Sequence, residues 1–162
     1  MVDCVKEPQI AWNVQIPNQR EPISLESCIQ RTYDDHKEVI HYKRDGDKEA
    51  KDYTIVRKIN TTPDLWILSL CRWDVHSRKI NTPIQIPHTL SIPNHPSYTL
   101  RGIICHSGSS IPSGHYVSVV SDSVHSKLLL IDDDNQRNIP DPIPEVLLRQ
   151  AYGIIYEKDE SK

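Results

Sequence analysis

The chain has 162 residues, enough for one domain with its own core, and 19 basic against 22 acidic side chains leave a formal charge of −3. That balance excludes the basic excess of a general nucleic-acid binder, and no apolar run approaches the length of a membrane span. Phenylalanine is absent, so three Trp and seven Tyr carry the aromatic packing, and twelve prolines against five glycines describe a folded chain rich in loops.

In chain order, residues 1–22 read as an extended leading segment, broken by Pro8, Pro17 and Pro22 and without clear periodicity. Asp3, Lys6 and Glu7 interrupt any signal-peptide stretch, which implies cytoplasm or nucleus. In that compartment Cys4, Cys28, Cys71 and Cys105, none of them in a C-x-x-C pair, are expected as free thiols in preference to disulfides. Asn60-Thr61-Thr62 is then an unmodified turn. Ser24 followed by Leu25, Cys28, Ile29 and Thr32 at helical spacing predicts a short amphipathic helix with a serine N-cap. Residues 34–52 are dense with charge around Asp45-Gly46-Asp47, which predicts a solvated loop or hairpin.

Beyond this the pattern turns to strands. Residues 53–59, 65–73, 98–105, 114–121, 127–132 and 152–157 are short runs of branched and aromatic residues bounded by Pro, Gly, Asn, Asp or Ser. Pro83, Pro87, Pro93 and Pro96 predict an extended connector between the second and third of them. Asp141 is expected to cap a helix holding Pro142 and Pro144 in its first turn, where amides lack partners in any case. The sum is an α+β fold dominated by an antiparallel sheet with few short helices, ending in a polar tail at 159–162.

Chemistry concentrates in His106-Ser-Gly108 and Gly114-His115-Tyr116, and in Asp132-Asp133-Asp134 at the end of the following strand. Gly114 lets the backbone approach a neighbour closely, and Tyr116 can pack beside an imidazole. A turn near 121–126 would set His115 and Asp132 on adjacent strands. There Asp132 is expected to accept the Nδ1–H and hold Nε2 toward a nucleophile. Metal-dependent hydrolysis by His106, His115 and the acidic triplet is a remote alternative, because the two histidines lie nine apart across a loop.

The segment from Tyr98 through His106, Gly108, Gly114 and His115 to Val120 resembles the histidine box of the ubiquitin-specific proteases, which are papain-like cysteine proteases. Residues 127–133 are similar to the strand that supplies that family's third catalytic residue, and 151–157 to its closing strand. Residues 63–73, Lys79-Ile80 and 84–87 look like its palm strands, and 23–29 like its short palm helix. The resemblance covers 23–158 in the family's order and implies a palm-type sheet with the N-terminal thumb missing. It implies His115 as the general base, Asp132 as its orienting carboxylate and Asp133 in support. His106, Gly108, Gly114 and Tyr116 would shape the groove for ubiquitin's C-terminal tail. Ubiquitin or a ubiquitin-conjugated protein is the implied partner, together with a complementary Cys-bearing chain, and no cofactor, metal, nucleic acid or membrane.

The departures are specific. No cysteine has the neighbours of the family's nucleophile box, and the C-x-x-C zinc pairs of its fingers are absent. Trp73, Ile131 and Ile155 stand where the family commonly has Phe. By this reading the chain alone is inactive, and a non-catalytic ubiquitin-binding scaffold is the alternative.

Overall fold

A computed structural model describes residues 9–33, 37–110, 113–122 and 127–160. Cys4, the turn at 123–126 and the end of the polar tail lie outside them. The elements in chain order are β1 (Ala11–Gln15), β2 (Ile23–Ser24), α1 (Leu25–Tyr33), β3 (Lys37–Tyr42), β4 (Lys51–Val56), β5 (Leu65–Cys71) and β6 (Ile84–Gln85). They continue as β7 (Thr89–Ser91), β8 (Ser97–Ser110), β9 (Ser113–Asp122), β10 (Lys127–Asp132), β11 (Asn135–Ile139), α2 (Glu145–Gln150) and β12 (Ala151–Lys158).

One sheet dominates, in the order β1-β5-β12-β8-β9-β10-β11, with β7 paired to β8. Strand alternation dictates its inner face. Trp66, Leu68 and Leu70 of β5, Ile154 and Tyr156 of β12, Ile103 and Cys105 of β8, Val119 of β9 and Leu128 and Leu130 of β10 are buried together. Leu25, Cys28 and Ile29 of α1 and Leu147 of α2 join the same core. Tyr98 and Tyr156 enter it with their hydroxyls satisfied by the Pro63 and Pro87 carbonyls at 2.7 and 2.6 Å.

The expected Ser24 cap is present: its Oγ accepts from the Ser27 amide at 3.1 Å at the start of α1. The charged stretch does form a hairpin, β3 against β4. Three expectations are corrected. The leading segment is not merely extended, because Ala11–Gln15 pairs in parallel with β5 and is therefore an integral edge strand. Trp12 docks it, its ring centroid 5.2 Å from those of both Tyr33 and Trp66, and Tyr33 donates to the Asn13 carbonyl. The second helix starts at Glu145, so both prolines precede it and Asp141 is no cap; its carboxylate instead meets His88 Nε2 at 3.1 Å. Finally, the strand expected to reach Trp73 ends at Cys71, and Trp73 forms an isolated bridge to Lys79. Among the described residues no helix is long and apolar enough to cross a membrane.

Candidate active site

His115 and Asp132 continue the inward-facing rows of β9 and β10 past the point where the core ends. Val117 and Val119 follow His115 on one strand, and Leu128 and Leu130 precede Asp132 on the antiparallel other. A side chain there keeps the strand's aim and loses its cover, which is what a reactive group needs. The Nε2 of His115 lies 2.5 Å from Asp132 Oδ1, with the two side chains 52% and 48% exposed. The hydrogen-bonded nitrogen is thus Nε2 and not the expected Nδ1, so Nδ1 is the ring atom left for a reacting group. Tautomer identity follows from that contact. The hydrogen bond and charge of Asp132, helped by Asp133, raise the imidazole's proton affinity above its ordinary value of 6.5.

The acidic triplet owes its shape to a tight hairpin. Asp132 pairs with Asn135 across the turn, and Asp133 takes a left-handed conformation with φ of 50°. Aspartate tolerates that conformation better than most residues do. Carboxylate oxygens of Asp132 and Asp133 and a ring nitrogen of His115 fall within 4.8 Å of one another, so among the described residues these three could hold a cation. His106 is not among them.

His106 is 4% exposed, its ring centroid 4.7 Å from that of Tyr116 and 6.2 Å from that of Trp73. Burial, and then the Lys79 charge, lower its proton affinity. The ring lies over Gly114 so closely that a Cβ there would come within 2.1 Å of Nε2. At Gly108 a Cβ would meet the Ser113 carbonyl oxygen at 2.6 Å. Both glycines are therefore needed for close approach. Of the four residues expected to meet a substrate tail, His106 supports the others from beneath, while Tyr116 at 56% exposure faces solvent.

No described cysteine is suited to attack. Burial pushes the thiols of Cys28 and Cys105 up to about 11, opposite to what a nucleophile requires. Burial also raises Cys71, whose sulfur accepts from Gln15 Nε2 at 3.4 Å. Ile131 is exposed and Ile155 half-buried. Sequence reasoning gave no role to Lys79 or Arg72, which brace this end of the sheet. The only hint was a cation placed among apolar strand residues.

A largely antiparallel sheet with helices against one face, and a histidine and a carboxylate on neighbouring strands at its open end, is the palm architecture of papain-like deubiquitinase folds. Residues 4–156 match the ubiquitin carboxyl-terminal hydrolase family, and the chain belongs to it. Among curated proteins none matches the chain in sequence. Solved structures with this fold include the Ubp8-Sgf11-Sgf73-Sus1 SAGA DUB module (TM-score 0.66, 23% identity, 95% of this chain and 35% of that one). A Ubp8 variant in the SAGA DUB module bound to monoubiquitin superposes with a TM-score of 0.69 at 22% identity, over 96% of this chain and 36% of that one. An essential yeast splicing factor gives 0.67 at 17% identity, over 95% of this chain and 37% of that one. The chain thus spans little more than a third of the length of each.

Proposed function

We propose that this chain is the histidine-bearing portion of a ubiquitin-specific cysteine protease site, with His115 as the base, Asp132 as its orienting carboxylate and Asp133 in support. The observation that carries the reading is the 2.5 Å contact between His115 and Asp132 in a chain of this family. In such a site a thiolate attacks the carbonyl carbon of ubiquitin's C-terminal glycine, and the imidazolium gives its proton to the amine that departs as the C–N bond breaks. The neutral imidazole then takes a proton from the water that releases the acyl group. His115 can perform both transfers through Nδ1 while Asp132 holds the other nitrogen. The tail would run past Gly108, Gly114 and Tyr116.

The thiol must come from outside the described residues, and Cys4 lacks the neighbours of the family's nucleophile box, so the reading makes a complementary Cys-bearing segment the functional partner and the chain alone catalytically silent. The buried, high-pKa thiols of Cys28 and Cys105 favour one second reading, a ubiquitin-binding scaffold without catalysis. Free thiols at Cys28, Cys71 and Cys105 fit a reducing compartment, cytoplasm or nucleus.

A fluorogenic ubiquitin substrate and an NMR titration with ubiquitin test this. The expected result is no turnover by the chain alone, with ubiquitin shifting the resonances of Gly114, His115 and Tyr116. Turnover abolished by Cys28→Ser, Cys71→Ser or Cys105→Ser would place the nucleophile inside the chain. Chelator-sensitive turnover would replace the thiol mechanism with a metal one. Ubiquitin leaving those resonances untouched would end the site assignment.

A further inference from the structure

The strand end that carries His115 is irregular. Beyond the His106↔Tyr116 and Ser107↔His115 pairs, the β8–β9 register slips before Ser110↔Ser113. At the slip two backbone carbonyls converge on one ammonium: Lys79 Nζ donates to His106 O at 2.6 Å and to Gly108 O at 2.9 Å. Among the described residues no carboxylate pairs with this amine. Burial, and next the neighbouring Arg72 charge, lower its proton affinity. Charge-assisted bonds to two carbonyl dipoles offset that desolvation.

Lys79 is itself braced. It bridges Trp73, and the turn between them is closed by Asp74, whose Oδ1 accepts from the His76 and Arg78 amides at 2.8 and 2.9 Å. This short hairpin therefore grips His106 twice, by the carbonyl through Lys79 and by the ring through Trp73. The His106 ring in turn touches both chain neighbours of His115, the Cα region of Gly114 on one side and the Tyr116 ring on the other. A force path of direct contacts thus runs from the 73–79 hairpin to the two residues that flank the candidate base.

We propose that Lys79 is a positioning residue for His115: by holding the His106 and Gly108 carbonyls it fixes the strand end on which the imidazole meets Asp132. This rests on the reading of His115 as the base, and its test needs neither ubiquitin nor turnover. The readout is the titration of the His115 ring by NMR in the intact chain, its resonance assigned with His115→Gln. Wild-type His115 is expected to titrate above an ordinary imidazole because Asp132 is in place. In Lys79→Met the midpoint should fall toward the ordinary value, with Lys79→Arg restoring part of the difference. Simple loss of a nearby cation would act in the opposite direction and favour the protonated ring, so the sign separates positioning from electrostatics. Amide exchange at Ser107, Gly114 and His115 should speed by about tenfold or more, the equivalent of one lost charge-assisted hydrogen bond. An unchanged or raised midpoint in folded Lys79→Met overturns the proposal. Should that variant fail to fold, Lys79→Gln, which removes the charge and shortens the reach to the two carbonyls, is held to the same two outcomes. A wild-type His115 that titrates as a free imidazole would instead sink the His115–Asp132 pairing itself, a failure distinct from that of Lys79.

Discussion

His115 is half exposed, so its protonation is governed by its carboxylate neighbours more than by its surroundings. Asp132 raises the imidazole through a hydrogen bond and a full charge, with Asp133 adding charge alone. Because the folded value is raised, the pair's contribution to stability is complete below the unfolded value of 6.5 and is lost as pH rises through the higher folded value. Asp132→Asn keeps a hydrogen-bond acceptor and removes the charge. Its His115 midpoint should drop toward 6.5, and its stability should fall below that of wild type on the acid side, with the gap closing as pH rises through the wild-type midpoint, as urea unfolding at several pH values would show. At Gly114 the determinant is space. A methyl group would lie 2.1 Å from His106 Nε2 and 2.6 Å from the Ser107 carbonyl oxygen, and the second contact is backbone that cannot swing aside. Gly114→Ala should cost about 1–3 kcal/mol. Gly153→Ala, whose Cβ would meet only the Ile104 side chain, Cδ1 nearest at an ordinary 3.4 Å, should leave unfolding by urea nearly unchanged.

Among elements, α2 depends most on a single side chain from elsewhere. It has six residues and no side-chain N-cap, far below the length at which a helix holds itself together. Arg72 supplies the missing tie. Its guanidinium, 1% exposed, donates to the Leu148 and Ala151 carbonyls at the end of α2 and to the Ile80 and Thr82 carbonyls of the 80–82 segment. Burial lowers its pKa to about 10, so it stays charged at neutral pH. Arg72→Met would take this donor from four carbonyls and should cost about 3–5 kcal/mol, with amide exchange in α2 rising first. Arg72→Lys should recover little, because one ammonium cannot span a fork of four acceptors.

The same contrast between local and borrowed support explains what the sequence reveals about elements. β5, β8, β9, β10 and β12 are legible because each contains its own run of apolar residues facing a single core. β1 and β11 are not, since Ala11–Gln15 is held by aromatic rings on α1 and β5, and Asn135–Ile139 is a polar edge defined by its turn. At the site, spacing suffices to bring His115 and Asp132 together, whereas the choice of ring nitrogen depends on strand twist and register. The buried place of His106 depends on Trp73 and Lys79, which arrive from a hairpin outside the motif.

At the scale of the molecule, the sheet order makes the last strand an interior one. β12 lies between β5 and β8, so the path β1-β5 on one side and β8-β9-β10-β11 on the other are joined through it. The candidate site lies wholly on the second group, while most of α1's packing lies with the first. Ile154 and Tyr156 of β12 are fully buried, and at about 1.5–3 kcal/mol for each such side chain they contribute about 3–6 kcal/mol. That is comparable to the entire net stability of an ordinary domain, about 5–15 kcal/mol. Loss of β12 also uncovers two strand edges and removes the Ala151 carbonyl that Arg72 holds. Truncation after Gln150 should therefore abolish the cooperative thermal transition, where removal of 160–162 alone should preserve it. The wild-type His115 titration should disappear with the same truncation, although every residue of the His115–Asp132 hairpin remains. A truncated chain that still melted cooperatively and still showed a raised His115 midpoint would mean that β8–β11 form an autonomous unit, and that the site does not need the rest of the sheet.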